Sequence, residues 1–466
     1  MKATIRFLGG VRTVTGSSHL VSTEKSQVLL DAGLFQGHRQ EFYEVNTTFH
    51  YNPRKLDALV LSHAHLDHCG NIPTLLKIGM RCKIYATSAT KDLCELMLED
   101  SGKIQEEDIE YINKINKRLG LPFLRKPLYT RAEARRSIKK FHSLAYGQRF
   151  RLSNEISVTL HDAGHILGSS IIVLDINLDQ GDIRLGYAVD LGREDLPIIE
   201  DPVIPEGLDY LILESTYGGR VHAPIDEAKT KLQEVVRRTL GRQGKIIIPS
   251  FTLERTQEVV YFLNELLKEN AIPVVPIYVD SPLATDITDT FKYHSSYFNQ
   301  EARLASSGGR SPFDFINLTY IRDQRQSKSL NHDHRPMIII AGSGMCESGR
   351  ILHHLKNNIE DSRNTVLVVG YMAKDTLGRR IVERSRYVRI FGAEFELNAE
   401  VVVINALSGH ADKNELLDFV KRSLPLKRIF LVHGDEDQSR KLADALGDLG
   451  LNVHLPLKDE EVTLLT

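Results

Sequence analysis

The loop of residues 63–68 constrains this chain more than any other stretch, because it contains three histidines and an aspartate. The apolar run Leu56–Leu61 comes before it and predicts a buried strand. Asn71–Lys77 follows and predicts the start of a helix with a proline in its first turn. In an extended loop His63 and His65 point to the same side, since side chains alternate along such a segment. The pattern is typical of a metal site, and solvated loop histidines are the weaker interpretation.

Length and composition limit the class of protein. A chain of 466 residues predicts two or more domains, and 42% hydrophobic with 26% charged residues is the composition of a soluble globular protein. The net charge of -2 gives no overall attraction for nucleic acid, so any such surface is local. The four cysteines show no paired spacing, and we find neither a signal peptide nor an apolar run that could span a membrane. A cytoplasmic enzyme without a membrane partner is the expectation.

Three residues outside the loop, one before it and two after it, are further candidates. Asp31 follows a short apolar run and is either a turn residue or a carboxylate that orients a ligand histidine. His165 lies between two glycines, which let backbone approach a site closely, and we prefer it over its competitor His161. Asp190 ends an apolar strand and suits a bridging ligand, although such an aspartate is more often a turn former or helix cap.

Late in the chain, Glu214, His410 and His433 each follow an apolar run. Together the candidates form two metal sites with Asp190 shared: His63, His65 and His165 in one, and Asp67, His68 and His433 in the other. Nitrogen and oxygen ligands suit zinc and are compatible with manganese or iron. Two metals ~3.5–4 Å apart hold a hydroxide and stabilise an in-line displacement at phosphorus. His410 is then the candidate acid for the leaving oxygen, and Glu214 could keep it protonated and oriented.

Between residues 210 and 369, apolar strands alternate with helical segments, which indicates an α/β domain with a largely parallel sheet. The strands end in short polar or glycine-rich loops, where such sheets bind ligands. Basic residues cluster in 117–149 and 374–389, either as solvated helix faces or as surfaces that bind phosphate.

The order of these motifs resembles the metallo-β-lactamase fold superfamily: Asp31, His63-Ala64-His65-Leu66-Asp67-His68, His165 and Asp190. Glu214, His410 and His433 resemble the three motifs of its β-CASP branch of nucleic-acid nucleases. That branch includes ribonuclease J and the endonuclease subunit of the cleavage and polyadenylation machinery. The chain is more similar to prokaryotic relatives of the latter, and the resemblance covers essentially the whole chain.

The resemblance implies an α/β fold, a four-layer αββα metallo-β-lactamase domain with an inserted β-CASP domain of mostly parallel sheet. The expected division is 1–207 for the first part, 208–386 for the insertion and 387–466 for the return to the first domain. The expected active site lies in the cleft between the domains. Two Zn²⁺ per chain would serve hydrolysis of single-stranded RNA to a 5′-phosphate and a 3′-hydroxyl.

The resemblance also assigns roles to residues. Asp31, Asp67, Glu214 and His410 are the expected catalytic set, and the expected RNA contacts are Ser281, Ser343, Gly344, Arg379 and Arg380. Relatives usually carry glycine where this chain has Ser348 and Asp375, which puts local RNA contacts in doubt but not the metal site.

Two other functions stay open. One is a small-molecule ester or thioester hydrolase of the same superfamily, against which the long insertion argues. The other is a catalytically silent RNA-processing subunit, against which the complete ligand set argues. Cleavage inside the RNA is expected, with cleavage from an end as the alternative. The RNA target, activity on DNA and assembly into a homo-oligomer such as a dimer are left open.

Overall fold

The computed structural model describes residues 2–37, 39–121, 125–179, 181–307 and 311–465. Residues 122–124 of the basic segment 117–149 therefore lie outside the described residues. The strands, in chain order, are β1 Ala3–Gly9, β2 Ser18–Ser22, β3 Gln27–Leu30, β4 Ala58–Val60, β5 Lys83–Ala86, β6 Phe141–Ser143, β7 Phe150–Arg151, β8 Ile156–Asp162, β9 Ser170–Leu178, β10 Gly181–Ala188, β11 Tyr210–Glu214, β12 Ile246–Pro249, β13 Ile277–Val279, β14 Leu318–Tyr320, β15 Ile338–Ala341, β16 Thr365–Val368, β17 Tyr387–Ile390, β18 Ala393–Glu396, β19 Glu400–Val403, β20 Arg428–Val432, β21 Val453–His454 and β22 Glu461–Leu464.

Helices separate most of these strands. They are α1 Arg39–Thr47, α2 Leu66–Cys69, α3 Ile72–Lys77, α4 Ser88–Arg118, α5 Arg131–Ile138, α6 Ile225–Gly241, α7 Arg255–Lys268, α8 Pro282–Tyr293, α9 Gln300–Ser307, α10 Gln324–His332, α11 Arg350–Asn358, α12 Leu377–Val382, α13 Lys413–Arg422 and α14 Glu436–Gly447. Among the described residues, no helix combines the length and the apolar character needed to cross a membrane.

The chain forms two compact units. The first takes the chain up to Glu194, Asp201–Val221 and everything from His410 on, and the second takes Asp195–Glu200 and His222–Gly409. These limits differ from the division at 207/208 and 386/387 that the motifs suggested, and that division stays a prediction.

Two seven-stranded sheets form the centre of the first unit, in the orders β22-β1-β2-β3-β4-β5-β6 and β21-β20-β11-β10-β9-β8-β7. Side chains from both sheets share one hydrophobic core, with Phe7 and Leu30 from the first and Leu174, Tyr187 and Phe430 from the second. The outer face of the second sheet packs against α13 and α14. Because the second sheet is covered on both faces, its inner strand β11 is buried throughout, whereas β1 of the first sheet alternates between buried and half-buried residues.

Parallel pairing brings the polar strand ends of the first unit to the edges of its sheets. β3 runs parallel to β4, so Asp31 and the loop of residues 63–68 leave their sheet at the same edge. β10, β11 and β20 are parallel neighbours, so Asp190, Glu214 and His433 also share an edge. The topology thus gathers residues that are hundreds of positions apart in the sequence.

The second unit is built on a six-stranded sheet in the order β14-β13-β15-β12-β16-β19, in which every neighbouring pair is parallel. This confirms the predicted α/β insertion with a parallel sheet. The central strands are buried on both faces, as the runs Ile246–Pro249 and Ile338–Ala341 require.

A buried ionic network lies directly after β13. Asp280 is fully buried and accepts hydrogen bonds from His354 Nε2 at 2.6 Å, Ser327 Oγ at 2.5 Å and Arg350 Nη1 at 2.5 Å. Arg350 also donates to two backbone carbonyls of the segment between β14 and α10. Burial favours the neutral acid, but these three donors hold the pKa of Asp280 below its ordinary value of 3.8.

We therefore expect Asp280→Asn to destabilise the second unit by about 3 kcal/mol, because a partly buried guanidinium loses its charged partner. A carboxylate with a lowered folded pKa stabilises above its unfolded pKa, and that stability is lost as pH falls through the folded pKa. The difference in unfolding free energy between wild type and Asp280→Asn should therefore shrink below pH 3.8. Chemical unfolding over pH measures it, with exposed Asp375→Asn as the control. A difference that does not change with pH would contradict the assignment.

Candidate metal centre

The loop of residues 63–68 is held in place by hydrogen bonds of its backbone. The Ser62 N–H donates to Asp31 Oδ1 at 2.7 Å, immediately before the first histidine. His65 is the N-cap residue of α2, so Asp67 and His68 sit in the first turn of that short helix. The predicted helix with an early proline is α3, in which Pro73 is the second residue. The change from strand to helix within a few residues therefore points all four side chains towards one place.

One group of possible ligands contains His63, His65, His165 and Asp190. His63 Nε2 lies 3.0 Å from His65 Nδ1, which lies 3.3 Å from His165 Nε2. Asp190 Oδ2 lies 3.2 Å from His63 Nε2 and 3.4 Å from His165 Nε2. Three imidazole nitrogens and one carboxylate oxygen thus converge on one position.

The second group contains Asp67, His68 and His433. His68 Nε2 lies 3.2 Å from His433 Nε2 and 3.9 Å from Asp67 Oδ2. His433 Nε2 lies 3.5 Å from the same Asp67 oxygen. The other Asp190 oxygen, Oδ1, lies 3.4 Å from His68 Nε2, so Asp190 stands between the two groups.

The donor atoms fit a divalent cation. Asp190 is 2% exposed, and its Oδ1 accepts no hydrogen bond of acceptable geometry, although the His433 Nδ1 atom lies 3.0 Å away and a buried carboxylate oxygen normally needs a partner. Imidazole nitrogens and carboxylate oxygens are the ligands that zinc and similar metals take. The His/Asp cluster can therefore hold metal.

Burial gives two of the cluster histidines the neutral state that a metal ligand needs. Burial lowers the pKa of His63 to about 4 and that of His165 well below its ordinary value, so both rings are neutral, as metal ligands must be. Burial also opposes charge on His433, yet Asp190 and Asp67 raise its pKa to about 10. Without a cation, the clustered carboxylates hold a proton on this ring; metal binding would displace that proton.

Asp31 orients His68 through Nδ1, the ring nitrogen that does not face the cluster. Its Oδ2 lies 2.7 Å from His68 Nδ1 and accepts from Ser62 Oγ at 2.8 Å and Tyr187 OH at 2.9 Å. A bond to Nδ1 leaves the Nε2 lone pair of His68 directed at the cluster. Of the two readings of Asp31, the geometry favours the carboxylate that orients a histidine, although its role stays a prediction.

His410 lies beside the cluster and contacts Glu214. Its Nδ1 is 3.2 Å from Glu214 Oε2, and its ring centroid is 4.6 Å from that of His165. Glu214 is fully buried and also accepts from the Leu191 N–H at 2.5 Å. Burial opposes the charged form of His410, but Glu214 and Asp190 raise its pKa above 6.5. A protonated imidazole here can donate a proton near neutral pH.

The sequence reasoning missed several residues that support the cluster. Ser62 and Tyr187 hold Asp31, and Thr216 Oγ1 donates to the His433 carbonyl at 2.9 Å. Ser62 and Thr216 are close in sequence to singled-out residues, which could have drawn attention to them. Tyr187 lies inside an apolar strand and carries no such signal.

Backbone conformation marks the same residues. Asp31, Asp190 and His433 all have positive φ, at 57°, 58° and 48°. Left-handed backbone is uncommon for residues other than glycine, and such positions concentrate at functional sites. The glycines near His165 permit close packing, because a Cβ on Gly192 would lie 1.7 Å from the Gly164 carbonyl oxygen.

The expected RNA contacts lie in the second unit, apart in sequence from the cluster. Ser281 caps α8 by accepting from the Ala284 N–H, and Ser343 Oγ accepts from the N–H groups of Glu347 and Ser348. Gly344 packs on an aromatic ring: a Cβ there would lie 2.7 Å from Phe251. Their role in RNA binding stays a prediction.

The two expected arginine contacts differ from each other. Arg379 Nε donates to Glu383 at 2.6 Å, whereas Arg380 is exposed. In the basic segment 117–149, Arg131 and Arg135 both pair with Glu99, and Arg149 pairs with Asp175. These pairs favour the interpretation of a solvated surface for part of the segment.

Comparison with known families matches three parts of the chain. Residues 20–192 match the metallo-beta-lactamase superfamily domain, and residues 256–381 match the Beta-Casp domain. Residues 394–456 match a domain described as the Zn-dependent metallo-hydrolase RNA specificity domain. A crystal structure of a protein of unknown function from Enterococcus faecalis V583 is similar in fold, with a TM-score of 0.57, 14% identity and full coverage of both chains.

Curated relatives match along almost the whole chain. Ribonuclease TTHA0252 of Thermus thermophilus is 37% identical over 457 residues, 98% of this chain and 96% of the relative. Transcription termination factor FttA of Pyrococcus horikoshii is 32% identical, over 94% of this chain and 67% of the relative. FttA of Methanosarcina mazei is 31% identical, over 97% and 69%. The chain belongs to the β-CASP family of the metallo-β-lactamase superfamily.

Proposed function

We propose that this protein is a metal-dependent ribonuclease that hydrolyses phosphodiester bonds of single-stranded RNA. The observation that carries the proposal is the buried cluster of histidines and aspartates with the His410–Glu214 pair beside it. The match to an RNA specificity domain and the similarity to a named ribonuclease support RNA as the substrate.

The proposed cofactor is two Zn²⁺ per chain. His63, His65 and His165 would hold one ion, Asp67, His68 and His433 the other, and the two oxygens of Asp190 would serve both. Bound divalent ions supply hydroxide at neutral pH and offset the charge that develops on the phosphate. Around them, Asp31 fixes the tautomer of His68, and Glu214 fixes the ring of His410.

His410 supplies the remaining proton. With Nδ1 held by Glu214, its Nε2 is the atom that donates to the leaving oxygen, which departs as a 3′-hydroxyl and leaves a 5′-phosphate. We propose that the cut is internal. Ser281, Ser343, Gly344, Arg379 and Arg380 are the proposed RNA contacts. The cysteines, all four free and buried, support a cytoplasmic location.

Removing either of two ligands should abolish cleavage. Asp67→Asn and His68→Ala each take a donor from the cluster, so we expect no fragments from a single-stranded RNA labelled at either end. His334→Ala, at an exposed histidine of the second unit, serves as the control. Full activity in a correctly folded ligand variant would contradict the mechanism.

His410→Ala should slow cleavage about 10²–10⁴-fold while metal content stays the same, because a general acid contributes that much. Single-turnover kinetics with metal analysis of the same sample measures both. Internal fragments that vanish with chelator support the endonuclease; mononucleotides released from one end would make the protein an exonuclease. An unchanged rate would remove His410 from the mechanism.

Asp31→Asn should weaken metal binding about 10–100-fold, as is usual when the partner of a ligand histidine is lost. The amide cannot match the carboxylate as the acceptor of the bond that the His68 Nδ1–H donates. Zinc titration by calorimetry measures the affinity, and Asp182→Asn, an exposed aspartate on β10, is the matched control. Equal zinc affinity in Asp31→Asn and wild type would show that Asp31 does not orient a ligand.

A further inference from the structure

The second half of α4, together with the C-cap residue Leu119 that follows it, exposes a row of apolar side chains. The exposed fractions of Ile104, Tyr111, Ile115 and Leu119 are 47%, 67%, 37% and 68%. Their spacing of seven, four and four residues places them on one face of the helix, within ~80° of arc. The first half of the same helix buries Leu93 and Leu98 against the unit. The four residues, the α4 row, span about 22 Å of helix surface at 1.5 Å per residue.

Single exposed apolar residues are ordinary, but an aligned row is typical of a surface that another molecule covers. The charge of the row does not suit RNA, since Asp108 lies within its arc and Glu106, Glu107 and Glu110 lie beside it. A molecule that covers the row therefore needs apolar side chains, and it also meets charged residues beside them.

Charged residues along one flank of the row are arranged in two halves. Glu107 lies in the N-terminal half, and Lys114 and Arg118 lie in the C-terminal half; at 100° per residue the three fall within ~40° of each other around the helix. Glu107 makes a long contact with Lys103, with 3.8 Å between Oε1 and Nζ. Neither Lys114 nor Arg118 pairs with another residue of the described chain.

This arrangement is complementary to itself. If two α4 helices pack antiparallel about a two-fold axis near Tyr111, Ile104 faces Leu119 of the partner subunit. A two-fold axis perpendicular to the plane of the two helices brings the same flank of each helix to the same side of the pair. Glu107 then falls between Lys114 and Arg118 of the partner subunit, about 3 Å along the axis from each. In this register the apolar residues of the row meet and Glu107 meets two cations, while Asp108 faces Ile115 of the partner subunit at the edge of the row.

We propose that the α4 row is the interface through which two copies of this chain form a symmetric dimer. The partner is a second copy because, in the antiparallel register, the acidic half of each helix lies against the basic half of the other. The interface does not involve the metal cluster, so its test is independent of the ribonuclease proposal.

Sedimentation equilibrium of the full chain over a wide concentration range tests the proposal. Wild type should dimerise, and Tyr111→Arg should raise the dissociation constant roughly 100-fold, since it places like charges together at the axis. Tyr293→Arg is the matched control, because Tyr293 is 81% exposed on another helix, and it should leave the dimer unchanged.

A charge-reversal series makes the register itself testable. Glu107→Arg should weaken the dimer, because it places a third cation beside Lys114 and Arg118 of the partner subunit. The triple variant Glu107→Arg, Lys114→Glu and Arg118→Glu should restore it, because the same pairs form with signs exchanged. Circular dichroism confirms folding of each variant.

Three results would overturn the proposal. They are a wild-type chain that stays monomeric at every concentration, a dimer that Tyr111→Arg leaves intact, and a triple variant no tighter than Glu107→Arg. Binding of single-stranded RNA that Tyr111→Arg abolishes, with no change in mass, would assign the row to RNA instead. RNA cleavage per chain, measured on the same samples, should not differ between monomeric and dimeric variants.

Discussion

The metal cluster of the first unit is arranged around the carboxylate of Asp190. This carboxylate is buried between two groups of histidines, and its Oδ1 accepts no hydrogen bond of acceptable geometry within the described chain, although His433 Nδ1 lies 3.0 Å away. A buried charge of this kind is costly unless a cation or protonated partner compensates it. Two features keep the cluster residues close together. The backbone of Asp31, Asp190 and His433 has positive φ, and Tyr187 donates a hydrogen bond to Asp31.

Sheet topology solves the problem of bringing such groups together. Parallel pairs place the ends of β3 and β4 at one edge, and the ends of β10, β11 and β20 at another. The shared core between the sheets fixes both edges. A rigid scaffold with function at its strand ends explains how residues as distant in sequence as His63 and His433 can act as one site.

Much of this could be read from the sequence. The period of two along residues 63–65 and the apolar runs before Asp190, Glu214 and His433 predicted both the strands and the placement of their polar ends. Asp31 could not be resolved, because a turn aspartate and an orienting carboxylate look alike until the distance to His68 is known. Tyr187 could not be predicted for another reason, because nothing in the sequence of an apolar strand indicates that one of its hydroxyl groups contacts a site.

Helices and charges were less predictable. α4 runs from Ser88 to Arg118, and its second half is polar and contains the exposed row, so no buried stripe in the sequence indicates where the helix ends. The basic segment 117–149 was ambiguous from charge alone, since the ion pairs of Arg131, Arg135 and Arg149 depend on acidic residues that are distant in sequence.

The proposed function requires that the His/Asp cluster binds two metal ions and that RNA cleavage depends on them. The most direct test adds zinc stepwise to metal-free protein while bound zinc and the rate of RNA cleavage are followed in the same sample. We expect saturation at two ions per chain, with cleavage appearing only as the sites fill. Cleavage by the metal-free chain, or saturation without any cleavage of RNA, would contradict it.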